Sequence, residues 1–129
     1  MAIPKRQETP YEILARCLEK AAAVLRELAR AERNEQADPN CGVYVLYRNN
    51  IPIYVGQSID IDKRLGDHYH ARRRWDREET HQCDVSDLDE TEAALIHFYE
   101  PSENRRIPPR PRTYESILRG LKLASRETS

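Results

Sequence analysis

Tyr44, Tyr54, Arg64, His68, Glu92 and Asn104 are the residues whose types and order could do chemistry. The two phenols stand in the strings Gly42-Val43-Tyr44 and Tyr54-Val55-Gly56. Arg64 and His68 are at i and i+4, so on a helix they share one face. A guanidinium is planar, permanently charged and bonds in two places, which suits a non-bridging phosphate oxygen. Imidazole accepts or relays a proton near neutral pH. Glu92 falls on a stripe with Leu88, Leu95, Ile96 and Tyr99. A carboxylate on an apolar stripe is costly unless it is paired, metal-bound or at a solvated rim. A single carboxylate suits Mg²⁺, which keeps most of its waters and takes a phosphate oxygen. Each residue also has an ordinary reading. Strand tyrosines usually pack a core, as Tyr47 and Tyr99 should, a surface Arg–His pair is common, and an asparagine after Pro101 can be a turn residue. An ordered set of six such polar positions is hard to obtain by chance.

These groups need a scaffold. Gly42–Arg48 and Ile51–Gly56 are rich in β-branched and aromatic residues and read as two paired strands, with Asn49-Asn50 as the turn. Side chains alternate along a strand, so register decides whether the tyrosines share a face. A two-residue loop places them on opposite faces; a three-residue loop or a bulge should set Tyr44 opposite Tyr54. Ser58 or Asp60 caps a helix that runs to about His70 and at most to Trp75, with Ile61 and Leu65 on its packing face. Thr80–Val85 reads as a short third strand. Asp87-Leu88-Asp89-Glu90 fits a capping box opening a helix that Pro101 ends. Residues 107–112 carry three prolines and should be extended. A last helix is expected over Tyr114–Ser125.

The N-terminal part is different. Met1–Thr9 reads as disordered, then Thr9, Pro10 and Glu12 form a helix start. Leu14, Leu18, Ala21, Leu25 and Leu28 alternate in steps of four and three, an amphipathic stripe reaching about Arg33. Docking of this stripe on the sheet face away from the site is expected in preference to a self-associating coiled coil. The chain therefore divides into a helical arm (1–36), a central domain (37–110) and a C-terminal helix and tail (111–129).

At 129 residues, with 39% hydrophobic and 33% charged residues, the chain fits one small domain with a heavily charged surface. No apolar run is long enough to cross a membrane and residues 1–10 have no secretory h-region, so a cytoplasmic protein is expected. Cys17, Cys41 and Cys83 lack a Cys-x-x-Cys pair and read as free thiols. The net charge of −1 counts against an extended nucleic-acid surface. Basic residues cluster locally, however, at Lys63, Arg64, Arg72, Arg73, Arg74 and Arg77 and at Arg105, Arg106, Arg110 and Arg112. A local basic face has a small phosphate footprint and a modest salt slope.

The two tyrosine strings followed by Arg64, His68, Glu92 and Asn104 resemble the GIY-YIG nucleases over about residues 41–106. The run from Glu92 through Leu95-Ile96 and Pro101 to Asn104 looks like the repair-nuclease branch. The resemblance implies an α+β (mixed α/β) fold with a small, mainly antiparallel three-stranded sheet flanked by helices. It implies a metal-dependent endonuclease that hydrolyses DNA phosphodiesters with one Mg²⁺ or Mn²⁺ on Glu92. In that scheme Arg64 and the metal stabilise developing charge, Tyr44 and His68 activate a water, Tyr54 positions the phosphate or water, and Asn104 orients the site. Gln57 stands where some members have lysine. Gln57, Lys63, Arg72, Arg73, Arg74, Arg105 and Arg106 are the expected nucleic-acid contacts. RNA stays open as a substrate. The rival readings are an inactive nucleic-acid-binding or adaptor module and a dimeric restriction-type enzyme. The size leaves no separate DNA-binding domain, so specificity is expected from flanking helices, a homodimer through residues 10–33, or a protein partner.

Overall fold

The computed structural model describes residues 6–123. Part of the N-terminal segment read as disordered and residues 124–125 of the expected C-terminal helix lie outside that range; within it that helix already ends at Gly120, short of the expected Ser125. Helix α1 (Pro10–Gln36) begins at Thr9, whose hydroxyl accepts from the Glu12 amide at 3.1 Å. Strands β1 (Gly42–Arg48) and β2 (Ile51–Ser58) form a hairpin. Helix α2 (Ile61–His70) follows, then strand β3 (Arg77–Gln82), a short 3₁₀ turn, helix α3 (Leu88–Tyr99) and helix α4 (Tyr114–Gly120). The sheet is wholly antiparallel, in the order β2-β1-β3, with β1 at its centre. This is the expected α+β architecture.

The hairpin settles the register. Asn49 and Asn50 have φ of 54° and 63°, the left-handed pair of a type I′ turn. That two-residue loop alone would separate the tyrosines. Between Leu46 and Tyr47, however, the register slips. Tyr47 pairs with Pro52 and Leu46 with Tyr54, which leaves Ile53 as the extra residue of a bulge. Tyr44 then lies opposite Gly56, not opposite Tyr54 as expected, and both phenols come out on one face. Beyond the bulge, the Ile53 carbonyl accepts from the Glu103 amide at 2.7 Å.

Each sheet face has its own core. Val43, Val45, Tyr47 and Val55 pack with Ala94, Leu95, Ile96, Tyr114, Ile117 and Leu118 from α3 and α4. On the other face Tyr44, Leu46, Ile53 and Ile61 are buried together, edged by Tyr54, Leu65 and Trp75. Helix α2 is capped by Asp60, whose carboxylate accepts from the Lys63 amide at 3.2 Å.

Three expectations are corrected. The third strand lies at residues 77–82, not 80–85, because pairing with β1 runs from Gly42↔Gln82 to Tyr47↔Arg77. Asp87 makes no side-chain cap for α3. Its buried carboxylate instead takes Arg33 in a two-point pair at 2.9 and 3.1 Å. The largest change is in α1, which buries none of its residues. Leu14, Leu18, Leu25 and Leu28 are 56–65% exposed. The face expected to receive them is occupied by α3 and α4. Polar side chains near its C-terminal end hold α1 to the domain. Besides Arg33, Arg30 reaches Ser116 at 3.3 Å, Glu27 pairs with Arg119 at 3.3 Å, and Asn34 accepts from the Asp84 amide at 3.0 Å.

Candidate active site

The second sheet face carries the reactive groups. Gly56 is what allows the two phenols to sit together. A methyl group at its Cα would lie 2.5 Å from the Tyr44 oxygen, 2.6 Å from its Cζ and 2.9 Å from Cε1 of Tyr54. The Tyr44 ring lies over a bare backbone, and the Tyr44 and Tyr54 centroids are 6.2 Å apart. Gly56→Ala should displace Tyr44, cost about 1–3 kcal/mol by overpacking, and reduce cleavage by more than it reduces stability. Denaturant melts read beside turnover at a temperature where the variant is folded will check this.

Helix α2 supplies Arg64 and His68. His68 is buried, with its Nε2 2.8 Å from the Tyr44 oxygen and its ring 4.9 Å from that of Tyr54. The Arg64 guanidinium lies close enough to the Tyr44 phenol for the two to raise and lower each other's pKa, and it pairs with Asp67 at 3.8 Å. Tyr44 itself is fully covered. Burial, then the neighbouring Tyr54 phenol, push its pKa well above the ordinary value, while Arg64 pulls the other way. The neutral phenol is therefore the resting form.

Arg73 was expected on the phosphate-contact surface. It lies inside the site instead. Its Nε donates to Nδ1 of His68 at 3.2 Å, its NH1 pairs with Glu103 at 2.8 Å, and its guanidinium carbon stacks 4.1 Å from the Tyr54 ring centre. Glu103 is further held by Arg48 at 3.0 Å. A donor at Nδ1 leaves the neutral imidazole proton on Nε2, so His68 donates to the Tyr44 oxygen and is not placed to take its proton. Burial lowers the His68 pKa, and the charges of Arg73 and Arg64 lower it further. Arg73→Gln removes one of those charges. The acid limb of the pH–rate profile should then move to higher pH, together with the His68 ring titration followed by NMR. The sequence signal for Arg73 was only its membership of a basic run, which did not separate it from Arg72 and Arg74.

Glu92, on α3, is half-buried. It is near enough to Tyr44 for its charge to raise the phenol pKa. Burial raises its own pKa, nearby Asp89 adds to this, and a hydrogen bond from Gln57 opposes it. Gln57 also donates to Asp89 at 2.7 Å, so it braces the carboxylate end of α3. Among the described residues Glu92 forms no ion pair. A half-buried carboxylate with only amide support fits a divalent cation. No cluster of three or more Asp, Glu, His or Cys occurs among the described residues, so most of such an ion's ligands would be waters and substrate oxygens.

Asn104 does not face this cluster. Its amide clips Val55, accepting from the backbone N–H and donating to the C=O, both at 2.9 Å. β2 is an edge strand, and Asn104 satisfies its free edge beside Tyr54. It acts on the site by fixing the strand. Lys63, Arg72, Arg74, Arg105 and Arg106 are exposed. They flank Arg64, Arg73 and Asn104 in sequence and offer charge around the site.

Comparison with curated proteins finds no match, and neither does comparison with solved structures. A family model does match, that of the GIY-YIG catalytic domain, over residues 40–104. That stretch starts just before β1 and stops at the Asn104 clip, so it encloses every group gathered around Tyr44. The chain belongs to the GIY-YIG nuclease family.

Proposed function

We propose that this chain is an endonuclease hydrolysing DNA phosphodiester bonds with one divalent cation, Mg²⁺ or Mn²⁺, held by Glu92. One observation carries the reading: two phenols, a guanidinium and an imidazole converge on one sheet face beside a half-buried carboxylate that forms no ion pair among the described residues. Nucleases of this family generally use divalent metal ions. A bound ion would supply positive charge, neutralising a phosphate oxygen and easing ionisation of the Tyr44 phenol.

The protein's own groups do the rest. Arg64 swings from Tyr44 and Asp67 to a non-bridging phosphate oxygen, which uncovers the phenol. His68 Nε2–H holds the Tyr44 oxygen in place, and its donation favours the phenolate. Once Arg64 has uncovered it, the phenol loses its own proton to solvent, and the resulting phenolate oxygen takes a proton from the attacking water. The water oxygen bonds to phosphorus as the ester P–O bond breaks, and the leaving oxygen takes a proton from solvent. Tyr54, stacked under Arg73, positions the phosphate or the water. Lys63, Arg72, Arg74, Arg105 and Arg106 contact the flanking backbone. The working environment is the cytoplasm, in keeping with cysteines 17, 41 and 83 being unpaired; none of the described helices is long and apolar enough to cross a membrane.

The test is a substrate panel of supercoiled plasmid, single-stranded DNA, branched DNA and RNA. Metal-dependent cutting of a DNA form supports the reading. Cutting of RNA alone changes the substrate class. Tight binding with no cutting in any metal makes the chain a binding module.

A further inference from the structure

From Tyr11 to Leu28 the outward face of α1 is apolar, while its hydrogen bonds and ion pairs to the domain come from polar side chains. In heptad terms Tyr11, Leu18 and Leu25 occupy a, and Leu14, Ala21 and Leu28 occupy d. The flanking e positions are all alanine (Ala15, Ala22, Ala29), and Val24 and Cys17 lie on the g side. The residues that touch the domain, Glu27, Arg30, Arg33 and Asn34, all come from b, c and f. The helix is thus tethered by its polar back, with its leucines turned to solvent.

We infer that this face binds a second copy of the chain as an antiparallel two-stranded coiled coil centred near residues 22–24. Charge decides the occupant and its direction. The b positions carry Glu12 and Glu19 in the first half and Arg26 and Arg33 in the second. Only an antiparallel copy brings the acidic half of one helix against the basic half of the other at these like positions. The register that sets Glu19 beside the partner's Arg26 also sets Leu18 against the partner's Leu28 and Ala21 against the partner's Leu25. Over residues 18–28 leucine packing and charge pairing agree on one alignment, which at the ends of the seam sets Leu14 and Tyr11 against the partner's Glu32 and the partner's Glu35. On the other flank the same alignment brings Lys20 near the partner's Glu27. Alanines at e let the helices approach to the short end of the usual range of about 8–10 Å. At about 1.5 Å per residue the 27-residue helix is about 40 Å long, so the two domains sit at opposite ends of the coil. The seam also closes a groove. Leu28 and Ala31 edge a cavity of about 600 Å³ between α1 and α4, and the partner's Leu14 and Leu18 would lie over it.

This inference does not depend on the nuclease reading, because its readout is mass. The full chain at micromolar concentration should sediment at twice the chain mass. Leu18→Glu and Leu25→Glu replace exposed residues, so both should keep wild-type circular dichroism and sediment as monomers. Glu19→Arg should weaken the dimer at low salt, and the double variant Glu19→Arg/Arg26→Glu should restore it. In a Cys17→Ser background, A21C and L25C chains should form a disulfide when mixed and not separately. A wild-type monomer, a dimer that survives both glutamate variants, or self-cross-linking of A21C alone would overturn the antiparallel coil.

Discussion

Glu92→Gln should cut DNA at least about 10³-fold more slowly than the wild-type chain under saturating Mg²⁺. The substitution keeps the size of the side chain and one accepting oxygen, and removes the charge that would hold the cation. Its effect on folding has the opposite sign. Burial raises the Glu92 pKa in the folded protein. Ionising Glu92 therefore costs more in the folded protein than in the unfolded chain, and wild-type stability falls as pH rises from the ordinary carboxylate range through the raised pKa. In EDTA at neutral pH, Glu92→Gln should melt at the same temperature as wild type or higher. That advantage should fade in acid, where wild type is protonated. Lower activity together with a lower melting temperature would mean a damaged fold, and would not speak for a lost metal site.

Arg64→Ala should lower kcat by about 10²–10³-fold, the usual loss when one donor to developing transition-state charge is removed, and leave KM within a few-fold. Arg64 is electrostatically coupled to the buried Tyr44 phenol, where charge would be generated, and its own tether at Asp67 is a long surface contact at 3.8 Å. Arg64→Lys should recover part of the loss, since lysine keeps the charge but not the two-point geometry. Steady-state kinetics on a short duplex will separate the terms. A raised KM with unchanged kcat would make Arg64 a phosphate-positioning residue only.

Local patterns made most of the scaffold legible. The Asn-Asn turn, the Thr9 and Asp60 caps and the strand composition of residues 42–56 all report on neighbours in sequence, and the fold honours each. What could not be read depends on distant partners. The bulge at Ile53 has no local signature: it lets Ile53 join the core beside Tyr44, Leu46 and Ile61 while the register slips by one. Asp87 reads as a cap because nothing in its own segment shows that Arg33, fifty-four residues earlier, will claim its carboxylate. The α1 stripe is amphipathic, but amphipathicity does not say which partner covers the apolar side, and α3 and α4 had already filled the sheet face.

The chemical site divides the same way. Tyr44, Tyr54, Arg64 and His68 were named by order and spacing, and the geometry brings them into contact. Gly56 was visible only as part of a string; its reason is the Tyr44 ring that occupies the space of a side chain. Arg73 and Gln57 were read as surface contacts because a basic or amide side chain near a site is ordinarily solvated. Here Glu103, His68 and Tyr54 draw Arg73 inward, and Asp89 and Glu92 draw Gln57.

Metal add-back to a preformed DNA complex separates a metal-dependent nuclease from a metal-independent one. The protein is bound to end-labelled duplex DNA in EDTA, Mg²⁺ is added in excess, and strand scission is followed through a single turnover beside Glu92→Gln treated identically. The account predicts no cutting before the addition, cutting by the wild-type chain after it, and none by Glu92→Gln although it retains the DNA. Scission in EDTA, or equal scission by the two proteins after Mg²⁺, would contradict it.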